Sequence, residues 1–229
     1  LTVSGEGPGP FQQFLSRQAA QNDLESRERL QVLRRTLAEA PALQPLTRLW
    51  SGPESVILGG WYASLDDWVP DEIHDAWSFL GIKLDQNQEF SRLRKVKLKV
   101  RKPFVISVSE PDEYLLHQLR ALGCDAVMIA VSERNIVDIQ FLIEVARDLG
   151  MDTILECRDE ADCRRMEQTD GRFFSCPVQL AHKPAFKTAV AARLPILRVD
   201  RLNDLDQLSQ MDCSVGVLVN ARMMQSNSS

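Results

Sequence analysis

The stretch PFVISVSEPDEYLLHQLRALGCDAVMIAV, residues 103–131, decides the fold, because it reads as strand, helix and buried strand in succession. Residues 104–109 form a short apolar run that gives way to Ser, Glu and Pro. Pro111 suits the first turn of a helix, where a missing N–H costs no intrahelical bond. Tyr114, Leu115, Leu119 and Leu122 then recur at helical spacing, and Gly123 stands where a helix ends in a left-handed residue. Residues 126–131 are continuously apolar, as in a strand covered on both faces. Two such strands joined through a helix make a parallel β/α unit.

The alternation continues outward in both directions. Upstream, residues 55–60 (SVILGG) read as a first strand. A helix after Pro70 runs through Leu80 and is closed by Gly81, and a short strand follows over 82–85. Downstream come a helix over 136–149 ended by Gly150, a strand over 152–157, a helix over 160–169 and a strand over 173–178 that contains Pro177. A helix over 185–194, a strand over 196–199, a helix over 204–211 and a last strand over 215–219 complete the series. Eight strands alternating with helices predict a (β/α)8 TIM barrel, with a doubly wound sheet as the competitor. Phe11 to Ala40 carry leucines at helical intervals that predict two further helices. Residues 1–10, rich in Gly and Pro, are expected to be flexible. The expected organisation is one barrel domain over 11–225, including an N-terminal helical extension over 11–48, with a polar tail at 226–229.

The chain has 229 residues, 44% hydrophobic and 26% charged, which suits one domain of roughly barrel size, about 250 residues. No apolar run approaches the roughly 18 residues of a membrane helix. A net charge of -5 argues against general affinity for polyanions. Five cysteines without zinc spacing suggest reduced thiols in a reducing compartment, and His74, His117 and His182 lie on separate segments, so neither a metal nor a cofactor is expected. A chain opening on Leu1 is expected to be processed or trimmed, which keeps an organelle matrix or stroma open beside the cytoplasm.

The sharpest charge feature is SRLRKVKLKVRK, residues 91–102, in which seven of twelve side chains are Lys or Arg. Two readings stand. Arg94, Lys95, Lys97 and Lys99 form a contact surface for an acidic protein, RNA phosphate or anionic lipid, or the run is the solvated face of a helix whose Leu93, Val96 and Val100 point inward.

Taken with the N-terminal leucine-rich segment, the phrases GCDAV, LGMDTILEC and VGVLVNARMM, at this spacing, resemble the indole-3-glycerol phosphate synthase family of tryptophan biosynthesis. The resemblance covers roughly residues 11–225 and implies a barrel that closes an indole ring by acid–base chemistry. It also implies a Glu and a Lys on the first strand in a pattern like E-x-K-R-x-S-P-S, where this chain has Gly59 and Trp61 and matches only at Ser64. The family's K-D-F on the third strand becomes Ser107, Val108 and Ser109, and a hydroxyl cannot replace an ammonium as the acid. Its N-N-R on the sixth becomes Cys176, Pro177 and Val178. Glu156 alone matches a catalytic carboxylate.

The phosphate site implied after strands seven and eight is similarly altered, with Leu197, Arg198 and Val199 for E-S-G, and Asn220 and Ala221 for G-E or G-S. Arg198 and Asn220 are the remaining candidates for an anion. Trp61, Tyr62 and Trp68 stack on a ligand, plug the vacant pocket or pack against a partner, and a mouth filled by side chains is expected. The resulting expectation is a pseudoenzyme kept as a structural or accessory subunit of a larger protein assembly, with an active lyase or related phosphosugar enzyme as the alternative. Met223 and Met224 are expected to contact whatever covers the last strand.

Overall fold

The computed structural model describes residues 37, 40–51, 56–67, 77–84, 90–132, 134–201, 204, 208 and 215–220. The chain parts into two compact units, Leu1–Glu39 and Ala40–Ser229, and the second holds the barrel. The helices expected within residues 11–40 lie almost wholly outside the described residues, as do Met223 and Met224.

Eight parallel strands close into a barrel: β1 (Val56–Tyr62), β2 (Phe79–Leu84), β3 (Phe104–Val108), β4 (Ala126–Ala130), β5 (Asp152–Glu156), β6 (Phe173–Pro177), β7 (Leu194–Val199) and β8 (Val215–Asn220). Each pairs with its successor, and β8 returns to β1 with Val56 opposite Val215 and Trp61 opposite Asn220. The described α-helices are α1 (Phe90–Lys99), α2 (Glu113–Ala121), α3 (Ile136–Asp148), α4 (Glu160–Met166) and α5 (Pro184–Val190). Three of them start at a side-chain cap: Asp112, Asn135 and Asp159 accept from the N–H of Leu115, Asp138 and Asp162. Gly123 and Gly150, at φ +86° and +74°, end α2 and α3 in the conformation that suits a residue without a Cβ.

Alternation along the strands sends apolar side chains two ways. Ile57, Phe79, Val105, Met128, Ile154, Phe173, Ile196 and Leu218 fill the barrel interior. Leu80, Ile82, Val127, Ile129, Phe174 and Leu197 face the helices, where they meet Leu116, Leu119, Leu142 and Phe186. A 3₁₀ turn, Leu46–Ser51, closes the end where the strands begin: Leu46 is wholly buried and the Trp50 ring lies 5.2 Å from Phe173. Two acids at the start of neighbouring strands hold that turn in place. Asp125 accepts from Gln44 N (2.6 Å), Phe104 N (2.8 Å) and Lys97 Nζ (2.7 Å), and Asp152 accepts from Leu46 N (2.7 Å).

Some boundaries differ from the sequence reading. Phe79 and Leu80, expected in a helix, begin β2. A strand buried on both faces and a buried helix end look alike in a short apolar run. Gly81 is therefore a strand residue and caps no helix. Pro111 precedes the cap Asp112 and lies outside α2. The helix expected over 185–194 stops at Val190, and Leu194 already belongs to β7. The helix expected over 204–211 falls largely outside the described residues.

Candidate functional site

At the end where the strands finish, a cleft of about 390 Å³ opens, a volume within the range of small-ligand sites. This corrects the expectation of a filled mouth. Trp61, Ser107, Glu156, Arg198 and Asn220, all singled out in the sequence, line it together with Lys83, Arg158 and Asp200, which were not. Pro177 ends β6 and is not part of the lining.

Of the aromatics expected there, Trp68 lies outside the described residues, Tyr62 is buried on the helix side of the strands, and only Trp61 fills space lower in the barrel. Phe79 and Trp61 lean across the β1–β2 pair toward glycines on the neighbouring strand. A Cβ on Gly59 would lie 2.2 Å from Phe79 Cζ, and one on Gly81 would lie 2.4 Å from Trp61 Cε3. The two glycines thus make room for two rings that occupy the interior between β1 and β2 while the mouth above stays open. Gly59 is committed to packing, and Trp61 forms part of the cleft wall beside Leu218, Met128 and Ala130.

The polar half of the cleft is an ionic set. Arg198 of β7 donates to Glu156 at the end of β5, and its Nε lies 3.7 Å from Asp200. Both members of the first pair are mostly buried, at 22% and 17% exposure. Arg158 follows Glu156 by two residues and Asp200 follows Arg198 by two, so alternation turns each toward the mouth. Lys83 projects from β2 between the buried Ile82 and Leu84, with no ion-pair partner among the described residues. Three cations and two carboxylates leave the lining one positive charge in excess. Ser175, on β6 between the two strands that Arg198 and Glu156 join, is fully buried, with no hydrogen-bond partner for its hydroxyl among the described residues.

Lys83 was legible in the sequence, since a charge flanked by apolar residues in the run IKL must face the other side of the strand. It matches none of the positions implied by the resemblance, which is why motif reading passes over it. Among the basic candidates of α1, Arg94, Lys95 and Lys99 are exposed, whereas Lys97 is 9% exposed and bonded to Asp125. Lys97 is thus corrected from contact residue to internal ion pair: it sits one residue from Val96 on the inward side, within reach of a carboxylate that is itself sealed from water. Cys124, Cys157, Cys163 and Cys176 are buried free thiols. Burial pushes the Cys124 and Cys176 thiols up. For Cys157 a hydrogen bond with Cys163 is the larger cause and burial the second, so none of these three is an activated nucleophile. Among the described residues no group of three His, Cys, Asp or Glu side chains could hold a metal ion, and no helix is long and apolar enough to cross a membrane.

No protein-family model matches the chain. An indole-3-glycerol phosphate synthase from Bacteroides thetaiotaomicron is 26% identical over 147 residues, 56% of this chain and 55% of that protein. One from Neisseria meningitidis is 36% identical over 70 residues, 29% of this chain and 25% of its own length. The chain thus spans between a quarter and about half of these curated relatives. Among solved structures, an HpcH/HpaI aldolase from Desulfitobacterium hafniense aligns at a TM-score of 0.57 and 8% identity, covering 81% of this chain and 93% of that one. A tryptophan synthase from M. tuberculosis aligns at 0.54 and 10%, covering 72% and 83%. At such identities these structures speak for the barrel alone. Together the matches support a distant relationship to indole-3-glycerol phosphate synthase on a TIM-barrel fold.

Proposed function

We propose that this chain is a non-catalytic barrel of indole-3-glycerol phosphate synthase descent that serves as an accessory subunit of a larger protein assembly. The observation that carries the reading is the packing of β1 against β2. Where the related motif has Glu and Lys, Gly59 and Trp61 stand, and Phe79 and Trp61 themselves fill the space beside Gly59 and Gly81. Neither replacement can move a proton. The surviving carboxylate, Glu156, is already engaged by Arg198.

Incubating the full chain with carboxyphenylaminodeoxyribulose phosphate and following indole fluorescence tests this directly. The expected rate equals that without protein, and turnover above it overturns the reading. A second reading, an enzyme of a related phosphosugar class, has one observation in its favour: the Lys83 ammonium, without an ion-pair partner among the described residues, in a cleft that also holds Glu156. Turnover lost in Lys83→Met would favour it.

A further inference from the structure

The helix α1 carries a surface that neither the barrel interior nor its mouth uses. Leu93, Val96 and Val100 turn inward, yet Leu98 is 77% exposed. Arg94 and Lys95 stand one turn before it, and Arg101 follows just beyond the helix, whose last residue is Lys99; all three are exposed, and their cationic groups have no partner among the described residues. Arg92 and Lys97 differ: Arg92 bonds Asp66 at 2.8 Å and Lys97 bonds Asp125.

A merely solvated helix face ordinarily mixes signs, but the sequence of α1, FSRLRKVKLK, contains no acid. Lys95 and Lys99 repel across one turn. The helix dipole rewards a cation only in the last turn, which accounts for Lys97 and Lys99 and leaves Arg94 and Lys95 without a local reason. All this sits on a chain of net charge -5.

We propose that this face docks an acidic amphipathic segment of a partner protein, with Leu98 entering the apolar side of that segment and Arg94, Lys95 and Arg101 meeting its carboxylates. Charge complementarity requires an anionic occupant, and Leu98 selects its class. A leucine at the centre of the patch adds nothing to contacts with nucleic-acid phosphates, and one apolar side chain is too little to hold a helix in a bilayer surface. The net negative charge also works against long-range attraction to a polyanion. The proposal stands whether or not the barrel turns over a substrate.

The test uses the full chain and two labelled synthetic helical peptides of equal negative charge, one with Leu at every third or fourth position and one with Ser in its place. Anisotropy at low and at high salt reads binding. The Leu peptide is expected to bind about tenfold more tightly than the Ser peptide, as burial of one leucine allows. Leu98→Ser should abolish that preference. The double variant Arg94→Glu, Lys95→Glu should weaken both peptides by about tenfold or more and reduce the salt dependence. These side chains are exposed, so melting temperatures should not move, which separates lost contact from lost folding. The proposal is overturned if neither peptide binds, if both bind equally, if the Leu preference survives Leu98→Ser, or if poly-uridylate or phosphatidylserine vesicles bind more tightly than the Leu peptide.

Discussion

Arg198 on β7 reaches past β6 to the carboxylate of Glu156 at the end of β5, and so ties together two strands that do not pair with each other. The bond is charge-assisted and mostly buried, so its loss has a readable cost. Glu156→Gln should lower stability by about 1.5–3 kcal/mol, the range for a hydrogen bond to a charged group. The same change frees Arg198 for an outside anion. Calorimetry with inorganic phosphate should therefore show tighter binding to Glu156→Gln than to the parent chain. Equal or weaker binding would mean that Arg198 does not face ligand.

Lys83 supplies the positive charge of the cleft that no described carboxylate neutralises, and its removal should be felt by any anion. The mouth offers side-chain cations but has Leu197 and Val199, with Asn220, where the resemblance implies a backbone cradle of small residues. Phosphate is thus expected to bind only near 1 mM, about -4 kcal/mol. Lys83→Met should push that binding beyond detection with the melting temperature unchanged, since Lys83 is exposed on an otherwise buried strand. Low-micromolar binding of a sugar phosphate to the parent chain would contradict so weak a mouth.

Gly81 and Trp61 form a register pair across β1 and β2, and the ring occupies the space a side chain at Gly81 would take. Gly81→Ala places a methyl 2.4 Å from Trp61 Cε3, so the ring must shift within a closed barrel. The expected cost is about 1–3 kcal/mol, as for other overpacked cores. Adding Trp61→Leu should recover part of that loss. Chemical denaturation of the three variants checks it, and additive losses would show that the two residues do not compete for space.

How much of this could be read from the sequence follows from what each signal depends on. The segment of residues 103–131 shows its strand, helix and strand nearly to the residue, because Gly123 stops the helix where local chemistry dictates, although the sequence reading starts it at Pro111 and the side-chain cap is Asp112. The start of β2 is not legible in the same way, because Phe79, Leu80 and Gly81 owe their conformation to neighbours on other strands, above all to Trp61. The same holds at the site. Replacement of the expected Glu and Lys is plain from Gly59 and Trp61, but whether the mouth is full or open depends on where the rings of Phe79 and Trp61 go. Lys97 shows the limit for charges: its sequence neighbours are basic and exposed, and only the barrel brings Asp125 to it.

Asp152 opens β5 beneath the turn that closes the other end of the barrel. Burial raises its carboxyl above the usual carboxylate range, against the pull of the Leu46 and Thr47 N–H groups and the charge of Arg172. The folded chain therefore keeps this proton over an interval in which the unfolded chain has released it, so stability from this group falls as pH rises through that interval. Asp152→Asn cannot ionise, yet its amide oxygen can still accept from Leu46 N, which lies 2.7 Å from Oδ2. Its melting temperature at neutral pH should equal or exceed that of the parent, with a flatter profile just above the ordinary carboxylate range. Asp152→Ala removes the acceptor altogether and should cost about 1–3 kcal/mol at every pH, because the Leu46 N–H is left without a partner. If Asp152→Asn loses as much as Asp152→Ala at neutral pH, the negative charge itself holds the turn, and burial does not raise this carboxyl.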